Sequence, residues 1–442
     1  MSHDEIMAAA DEMIARGETA PRAALDAVNP AMIRHWVEAI GDQDPRWAPG
    51  PDQVAPPAMA QVWTMYGLDP HRPIDDPLHG TMQMLDRAGF TSVLGTNCDQ
   101  TYARFLRPGE QTTITTRLES VVGPKRTGVG EGYFVTTTSV WRVGDEEVAT
   151  MTFRVLKFKP GTGRPSVDRT KTVRPVVNRD NAFFFEGTAA GELRIQTCNA
   201  CGVLRHPPGP VCPSCHAMDR GYVVASGRGT VHSFLVHHAP RVPGKQLPLT
   251  LALVELEEGV RMVGAVSGGT DEAPVEIGSA VEVVFDRIDD DLTLASWRLA
   301  ERAPNSGERA PNSTEGSRIH DLAPWSVEMT PTFIVSSALA TRDFQDVHHD
   351  RDLAVQRGSK DIFPNILTTT GLVQKFVGDW ARSEGAPIRI TSCALRLGAP
   401  AYAGDTLTLT GTRVDEDTVD VTGVCALGQH VSARVTFVRE DA

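Results

Sequence analysis

Apolar and polar residues alternate in separate blocks of this chain, and helical patterns precede two of those blocks. Between 101 and 159 the runs TTITTRLESVV, YFVTTTSVWRV and ATMTFRVLKF repeat with period two. That is the period of antiparallel strands with one face on a core. Helical patterns lie ahead of it, up to about Ile40. The last segment keeps the same order. Helical patterns run from 336 to 382, and strands follow in LTLTGTRV, VDVTGVCAL and SARVTFVRE. The loops RFLRPGE (104–110) and LGAPAYAGD (397–405) take matching places before a long strand. Between these segments stand GTVHSFLVHH, TLALVEL, RMVGAVSG and AVEVVFDRI, short strands with Gly-rich turns that predict a small barrel. The class is α+β, with two related helix-then-sheet domains flanking a different middle domain.

Composition sharpens the boundaries. A chain of 442 residues predicts roughly three domains. The segment 303–318 repeats APNS and holds almost nothing that could enter a core, so it reads as a flexible linker. A weaker break falls at 159–179, where KPGTGRP ends the first strand block. The domains expected are 1–175, 181–220, 221–302 and 319–442. A net charge of −13 disfavours nucleic acid and anionic membrane as general partners. The middle segment 181–302 carries 10 Lys+Arg against 15 Asp+Glu, a net of −5, with no basic stripe. No uncharged apolar stretch nears the roughly 18 residues of a membrane span. The acidic, amphipathic start is unlike a secretory signal. A cytoplasmic protein is expected.

Seven cysteines include four at 198, 201, 212 and 215. An odd total in a large chain argues against a disulfide framework. Cys198-x-x-Cys201 and Cys212-x-x-Cys215, separated by ten residues, are two knuckles that together offer four thiolates to one ion. The expectation is a structural zinc whose closed shell leaves no place for water. His206 and His216 read as surface residues beside it, and His237-His238 as a polar strand end. Cys98, Cys393 and Cys425 read as buried thiols.

Reactive chemistry concentrates in ATRDFQDVHHD, 340–350. A carboxylate and an imidazole five residues apart, Asp343 and His348, can converge on one water where a helix meets a loop. Such spacing also arises by chance among surface residues. Downstream, FPNIL (363–367) opens an apolar helix whose first amides can face developing negative charge.

The segment 340–350 resembles the signature of the MaoC-like, R-specific enoyl-CoA hydratases, Gly-Asp-x-Asn-Pro-Leu-His-x-Asp, which adopt a hot-dog fold. Asp343, His348 and Asp350 fall on its Asp, His and last Asp. Arg342, Gln345 and Asp346 depart from its Gly, Asn and Pro. The resemblance implies that Asp343 and His348 activate the water, and that the backbone N–H of Asn365 holds the thioester oxygen. The first domain carries Gly41-Asp42-Gln43-Asp44-Pro45-Arg46-Trp47, the same signature with Trp47 in the place of the His. Tryptophan can neither accept nor relay a proton, so no catalysis is expected there. Its central helix, starting near Pro56-Pro57, should be cut short by Gly67, Pro70, Pro73 and Pro77, widening the acyl pocket.

The segment 183–215 with the strands after it resembles the zinc-ribbon/OB domains that accompany thiolase-like aldolases. Taken whole, the chain resembles a fused form of the MaoC-like hydratases of actinobacterial steroid (cholesterol) side-chain degradation. The fold implied is two hot-dog domains flanking a zinc ribbon and an OB-fold barrel. Also implied are a steroid enoyl-CoA substrate, with coenzyme A as part of it, a thiolase-like (lipid-transfer-protein-type) aldolase partner and a homo-oligomer. Two rivals stand beside it. One is a hot-dog thioesterase, for which the helix after 364 offers only Asp379. The other is a non-catalytic acyl-CoA-binding adaptor for the aldolase.

Overall fold

In the computed structural model, residues 1–68, 76–162, 168–267, 274–300 and 321–440 are described. The chain forms two compact units, one of residues 1–164 with 315–442 and one of 165–314. The linker expected at 303–318 lies outside the described residues.

The first part of unit 1 opens with α1 (His3–Ala15), started by a Ser2/Glu5 capping box. Helix α2 (Pro30–Ile40) has Asn29 as its cap and proline in its first turn, and buries Ile33, Trp36 and Ile40 on one stripe. Helix α3 (Pro77–Arg87) starts at Pro77 behind the Asp76 cap. The strands are β1 (Arg22–Ala23), β2 (Ser92–Tyr102), β3 (Thr112–Arg126), β4 (Glu131–Val143) and β5 (Glu146–Lys159). The shortened central helix expected after Pro56 is not there. Its place holds two single 3-10 turns, Pro57–Met59 and Val62–Thr64. Tertiary contacts fix them: Met59, Val62 and Trp63 are buried, Trp141 Nε1 donates to Thr64 Oγ1 at 2.8 Å, and Arg22 donates to the Thr64 carbonyl at 2.8 Å. Pro77, expected to break a helix, begins one. Pro70 and Pro73 lie outside the described residues.

Unit 2 holds α4 (Ala182–Ala189) and a three-stranded sheet of β6 (Arg194–Cys198), β7 (Leu204–Arg205) and β8 (Arg220–Val224). Strands β9 (Arg228–His237), β10 (Leu249–Leu256), β11 (Arg261–Ser267), β12 (Ala280–Asp289) and β13 (Leu292–Leu299) close a barrel in the order β10-β11-β13-β12-β9. Val231, Ala252, Val254, Met262, Val281 and Trp297 fill it. The first domain was expected to run to 175, but 168–174 pack on this barrel. Arg169 pairs with Asp286 and Arg174 with Asp289.

The last part returns to unit 1 with β14 (Asp321–Glu328), α5 (Pro331–Ala340), α6 (Arg351–Gln356), α7 (Ile366–Ser383), β15 (Ile388–Leu397), β16 (Thr406–Arg413), β17 (Thr418–Cys425) and β18 (Gly428–Arg439). Among the described residues the two parts share one ten-stranded sheet, ordered β1-β3-β4-β5-β2-β15-β18-β17-β16-β14. The order reads the same outward from its centre: in each half a three-stranded meander (β3-β4-β5, β16-β17-β18) is flanked by the strand that precedes it in sequence, β2 or β15, on the central side and by the first strand, β1 or β14, at the outer edge. At the centre β2 pairs antiparallel with β15, Cys98 opposite Leu395 and Gln100 opposite Cys393. The two hot dogs thus pair within a single chain. Helix α7 lies across the sheet with Leu372, Val373, Phe376 and Val377 in a core that also takes Ile33 and Trp36 from α2. Among the described residues no helix is long and apolar enough to cross a membrane.

Candidate functional site

Helix α5 sets the position of Asp343. Thr330 caps its start. At its end the Arg342 N–H donates to the Leu339 carbonyl and the Asp343 N–H to the Ala338 carbonyl, both at 3.0 Å. Those two bonds form a Schellman closure, which needs a left-handed residue just past the cap. Arg342 is that residue, with φ of 57°. The same corner ends α2, where Gly41 has φ of 67° and the Asp42 N–H donates to the Val37 carbonyl at 2.9 Å. Asp42 and Asp343 are therefore equivalent by backbone geometry as well as by sequence. The departure at Arg342 keeps the turn at a conformational cost of about 1 kcal/mol.

His348 closes a 3-10 turn, Asp346–His348. Its Nδ1 stands 2.8 Å from the Phe363 carbonyl oxygen. A carbonyl only accepts, so Nδ1 carries the hydrogen and Nε2 of the neutral ring has its lone pair free. That Nε2 lies 3.7 Å from Asp343 Oδ2, and each side chain is 7% exposed. Two acceptors facing each other at this distance repel unless a hydrogen source stands between them. A water about 2.8 Å from both atoms would subtend about 80° there and could donate one hydrogen to each. Its lone pairs then point away from the pair. Phe363 packs edge-on to the imidazole at 5.1 Å. Asp350 caps α6, accepting from the Leu353 N–H at 3.0 Å.

Asn365 caps α7. Its Oδ1 accepts from the Thr368 N–H at 2.8 Å and its Nδ2 donates to Thr341 Oγ1 at 2.7 Å. Its own N–H has no partner among the described residues. The structure thus gathers Asp343, His348 and the amide end of α7 at one corner of unit 1. Residue 67 of the first part lies there too: a Cβ on Gly67 would come 2.9 Å from the Arg342 guanidinium. Sequence reading missed Thr341 and the Phe363 carbonyl. A threonine directly before the Arg-Asp pair was the available signal for the first, and backbone carbonyls carry no signal.

The equivalent corner of the first part has another content. Asp42, Trp47, Ile40 and Ala58 line a narrow cleft of about 30 Å³, closed by Gly371, Gln374 and Arg382 of α7. Burial raises the Asp42 carboxyl above its ordinary value. Asp44 is bound by Arg46, with Nη2 at 2.7 Å, and by Arg382. Arg46 also reaches Glu440 at 2.7 Å. Those guanidinium groups hold the Asp44 carboxyl below its ordinary value, against the effect of burial. The acids of this corner are used as a clamp between the two parts.

In unit 2 the four cysteines converge. Cys198 and Cys215 Sγ are 3.6 Å apart, as are Cys201 and Cys212, and all four sulfurs lie within 4.8 Å of one another. Tetrahedral zinc with bonds of about 2.3 Å sets sulfurs about 3.8 Å apart, so the donor set fits. Each knuckle turns back through a left-handed residue, Gly202 in one and His216 in the other. His206 is not the surface residue expected. It is half-buried, 5.2 Å from the Phe184 ring.

Comparison with known proteins follows the same divisions. Residues 20–151 match the family described as FAS1-like, dehydratase domain region. Residues 185–219 match the ChsH2 rubredoxin-like zinc ribbon domain, and 222–286 the ChsH2 C-terminal OB-fold domain. The 3-oxo-4,17-pregnadiene-20-carboxyl-CoA hydratase alpha subunit of Mycobacterium tuberculosis is 50% identical over 311 residues, 67% of this chain and 98% of its own. The beta subunit of the same hydratase is 60% identical over 116 residues, 25% of this chain and 88% of its own. A chain of the solved structure titled Ltp2-ChsH2(DUF35) aldolase is 45% identical, covering 28% of this chain and 98% of its own with a TM-score of 0.27.

Proposed function

Because the chain belongs to the family of the 3-oxo-4,17-pregnadiene-20-carboxyl-CoA hydratases, with counterparts of both subunits in one polypeptide, we propose that it adds water across the 2,3 double bond of a steroid side-chain enoyl-CoA, using Asp343 and His348. The observation that carries this reading is the 3.7 Å gap between Asp343 Oδ2 and a His348 Nε2 whose other nitrogen is tied to a carbonyl. The water between them loses one hydrogen to the pair as its oxygen bonds to C3. The π electrons move toward the thioester oxygen, where the α7 amide of Asn365 and the helix dipole stabilise the charge. A proton returns to C2, so one water is added in total. With a fully substituted C3 the product is a tertiary alcohol. The loss of a central helix at 57–64 supports a bulky acyl group, since no α-helix fills that side of the corner.

Domain limits follow the two units: a non-catalytic hot dog, the ribbon and barrel, and a catalytic hot dog from about 319. Four cysteines, Cys198, Cys201, Cys212 and Cys215, would hold the zinc, which serves folding alone. Ribbon and barrel together are the proposed seat of a thiolase-like aldolase. The resemblance of 183–215 supports this, as do the exposed consecutive residues Phe234, Leu235 and Val236 on β9. A homo-oligomer in the cytoplasm is the proposed setting, in keeping with seven cysteines of which none is in a disulfide. The thioesterase reading loses ground because Asp379 is engaged by both Lys375 and Arg382.

The test incubates the chain with a steroid side-chain enoyl-CoA and, in parallel, with a short straight-chain enoyl-CoA. The expected result is gain of one water by the first, abolished in His348→Ala while aldolase capture persists. Hydration that survives His348→Ala would move the chemistry elsewhere, and a wild-type chain that adds no water would leave the adaptor.

A further inference from the structure

We infer that Thr341, whose hydroxyl bonds to Ser337, Ala338 and Asn365 rather than to Asp343 or His348, positions them both through one buried hydrogen bond to Asn365. The inference rests on the hydratase reading above and assigns a residue that the sequence signature leaves out.

Thr341 is the last residue of the α5 corner and is fully buried, as is the Asn365 that meets it. The Thr341 hydroxyl hydrogen goes back to its own helix, to the carbonyls of Ser337 at 3.0 Å and Ala338 at 2.9 Å. Its oxygen accepts from Asn365 Nδ2 at 2.7 Å. Asn365 in turn grips the first turn of α7 through the Thr368 N–H. One chain of bonds therefore runs from the end of α5 into the start of α7. Both catalytic groups hang close to it. Asp343 is two residues past Thr341. His348 is held by the carbonyl of Phe363, two residues before Asn365. The oxyanion amide belongs to Asn365 itself. Loosening this single bond frees the three groups to move relative to one another, while each stays anchored to its own helix.

The first part of the chain serves as an internal comparison. It repeats the Schellman corner and keeps Asp42, but Ile40 stands before Gly41-Asp42 where Thr341 stands before Arg342-Asp343, and Ala58 follows Pro57 where Asn365 follows Pro364. Neither can make the bond. The corner that lacks the histidine also lacks the brace, although its carboxylate and backbone turn persist. A bond needed only to close the helix end would be needed in both places.

Three variants, compared with the wild type and His348→Ala and assayed well below their melting temperatures, decide the matter. Thr341→Val keeps the shape and removes the hydroxyl. Asn365→Ser keeps a capping oxygen for Thr368 and removes the Nδ2 arm. Both are expected to lower kcat about 10- to 100-fold with KM within about 3-fold, as a displacement of roughly 1 Å does. Thr341→Ser restores the hydroxyl and is expected within about 3-fold of wild type in kcat. Should Thr341→Val fail to fold, Asn365→Ser carries the comparison. Wild-type kcat in either folded variant, or a rise in KM alone, overturns the brace. So does a Thr341→Ser protein as slow as Thr341→Val. In each of these the wild type still hydrates and His348→Ala does not. Failure of the hydratase reading looks different, because the wild type itself then adds no water.

Discussion

Gly371 sits inside α7 with its Cα facing the indole of Trp36 on α2. An alanine there has two opposed effects. Helix propensity favours it by about 1 kcal/mol, since a glycine in a helix interior keeps more freedom when unfolded. Its Cβ, however, would stand 2.5 Å from Trp36 Cζ2 and 3.2 Å from Cη2. Carbon atoms rest at about 3.5 to 4.0 Å, so one of the two helices must yield by about 1 Å. Trp36 has no exposed surface into which to yield, and α2 is itself packed on α5. Overpacking of this size costs about 1–3 kcal/mol and here falls at the upper end. Gly371→Ala is therefore expected to destabilise unit 1 by about 1–2 kcal/mol net, the reverse of what propensity alone gives.

Guanidinium unfolding followed by tryptophan fluorescence reads this directly, because all seven tryptophans except Trp297 belong to unit 1. A double-mutant cycle locates the cause. Trp36→Phe alone opens a cavity and costs about 1–3 kcal/mol. In the pair the alanine methyl enters the vacated space, so the double variant is expected to be more stable than the sum of the singles by at least about 1 kcal/mol. A higher midpoint for Gly371→Ala alone, or strict additivity with Trp36→Phe, would refute the close approach of α2 and α7.

Asp44→Asn should cost about 2 kcal/mol near neutral pH, by removing the charge shared by Arg46 and Arg382. Because the folded carboxyl lies below its ordinary value, that contribution is present above about pH 4 and lost as pH falls through the lowered value. Denaturation midpoints of wild type and variant should converge in acid, and a constant gap down to pH 2 would contradict the clamp. Arg342→Gly relieves a left-handed non-glycine residue and should raise stability by about 1 kcal/mol, unless the guanidinium packing at Gly67 is worth more, which a lower midpoint would reveal. Metal analysis of purified chain should give one zinc per chain, with loss of zinc and of aldolase capture in Cys212→Ser; full capture without zinc would remove its structural role. Trp47→His in a His348→Ala background should restore no hydration, since the first corner has neither the α-helical amide end nor the brace; any restored turnover would show the imidazole alone was missing.

Much of this architecture was legible because its signals are local. Period-two alternation marked β3 to β5 and β16 to β18, two CxxC knuckles marked the metal site, and a five-residue spacing marked Asp343 and His348. What escaped the sequence depends on partners far along the chain. Pro56-Pro57 looks like the start of a helix, with proline suited to a first turn. There the burial of Met59, Val62 and Trp63 and the Trp141–Thr64 bond win instead, and the backbone settles into 3-10 turns. Residues 168–174 read as a tail of the first domain because their acidic partners, Asp286 and Asp289, come more than 100 residues later. The Thr341–Asn365 bond joins residues 24 apart whose types fit any cap or turn.

The two halves place two corners of the same backbone geometry in one sheet and surround them differently. Both end a helix buried along one stripe in the same left-handed turn, and both hang a carboxylate on the residue after it. The sheet makes them near-equivalents in space, so neither backbone nor burial decides between them. What differs is what each carboxylate meets. Asp343 meets an imidazole nitrogen across a gap one water wide, beside the open amide end of an α-helix. Asp42 meets Trp47, which offers no basic atom, and the neighbouring Asp44 is committed to two guanidinium groups. Losing the central helix of the first part removes its amide end and vacates volume on the opposite corner's side. The 3-10 turns at 57–64 thus leave the first corner without an α-helical amide end and the second without an α-helix on that side.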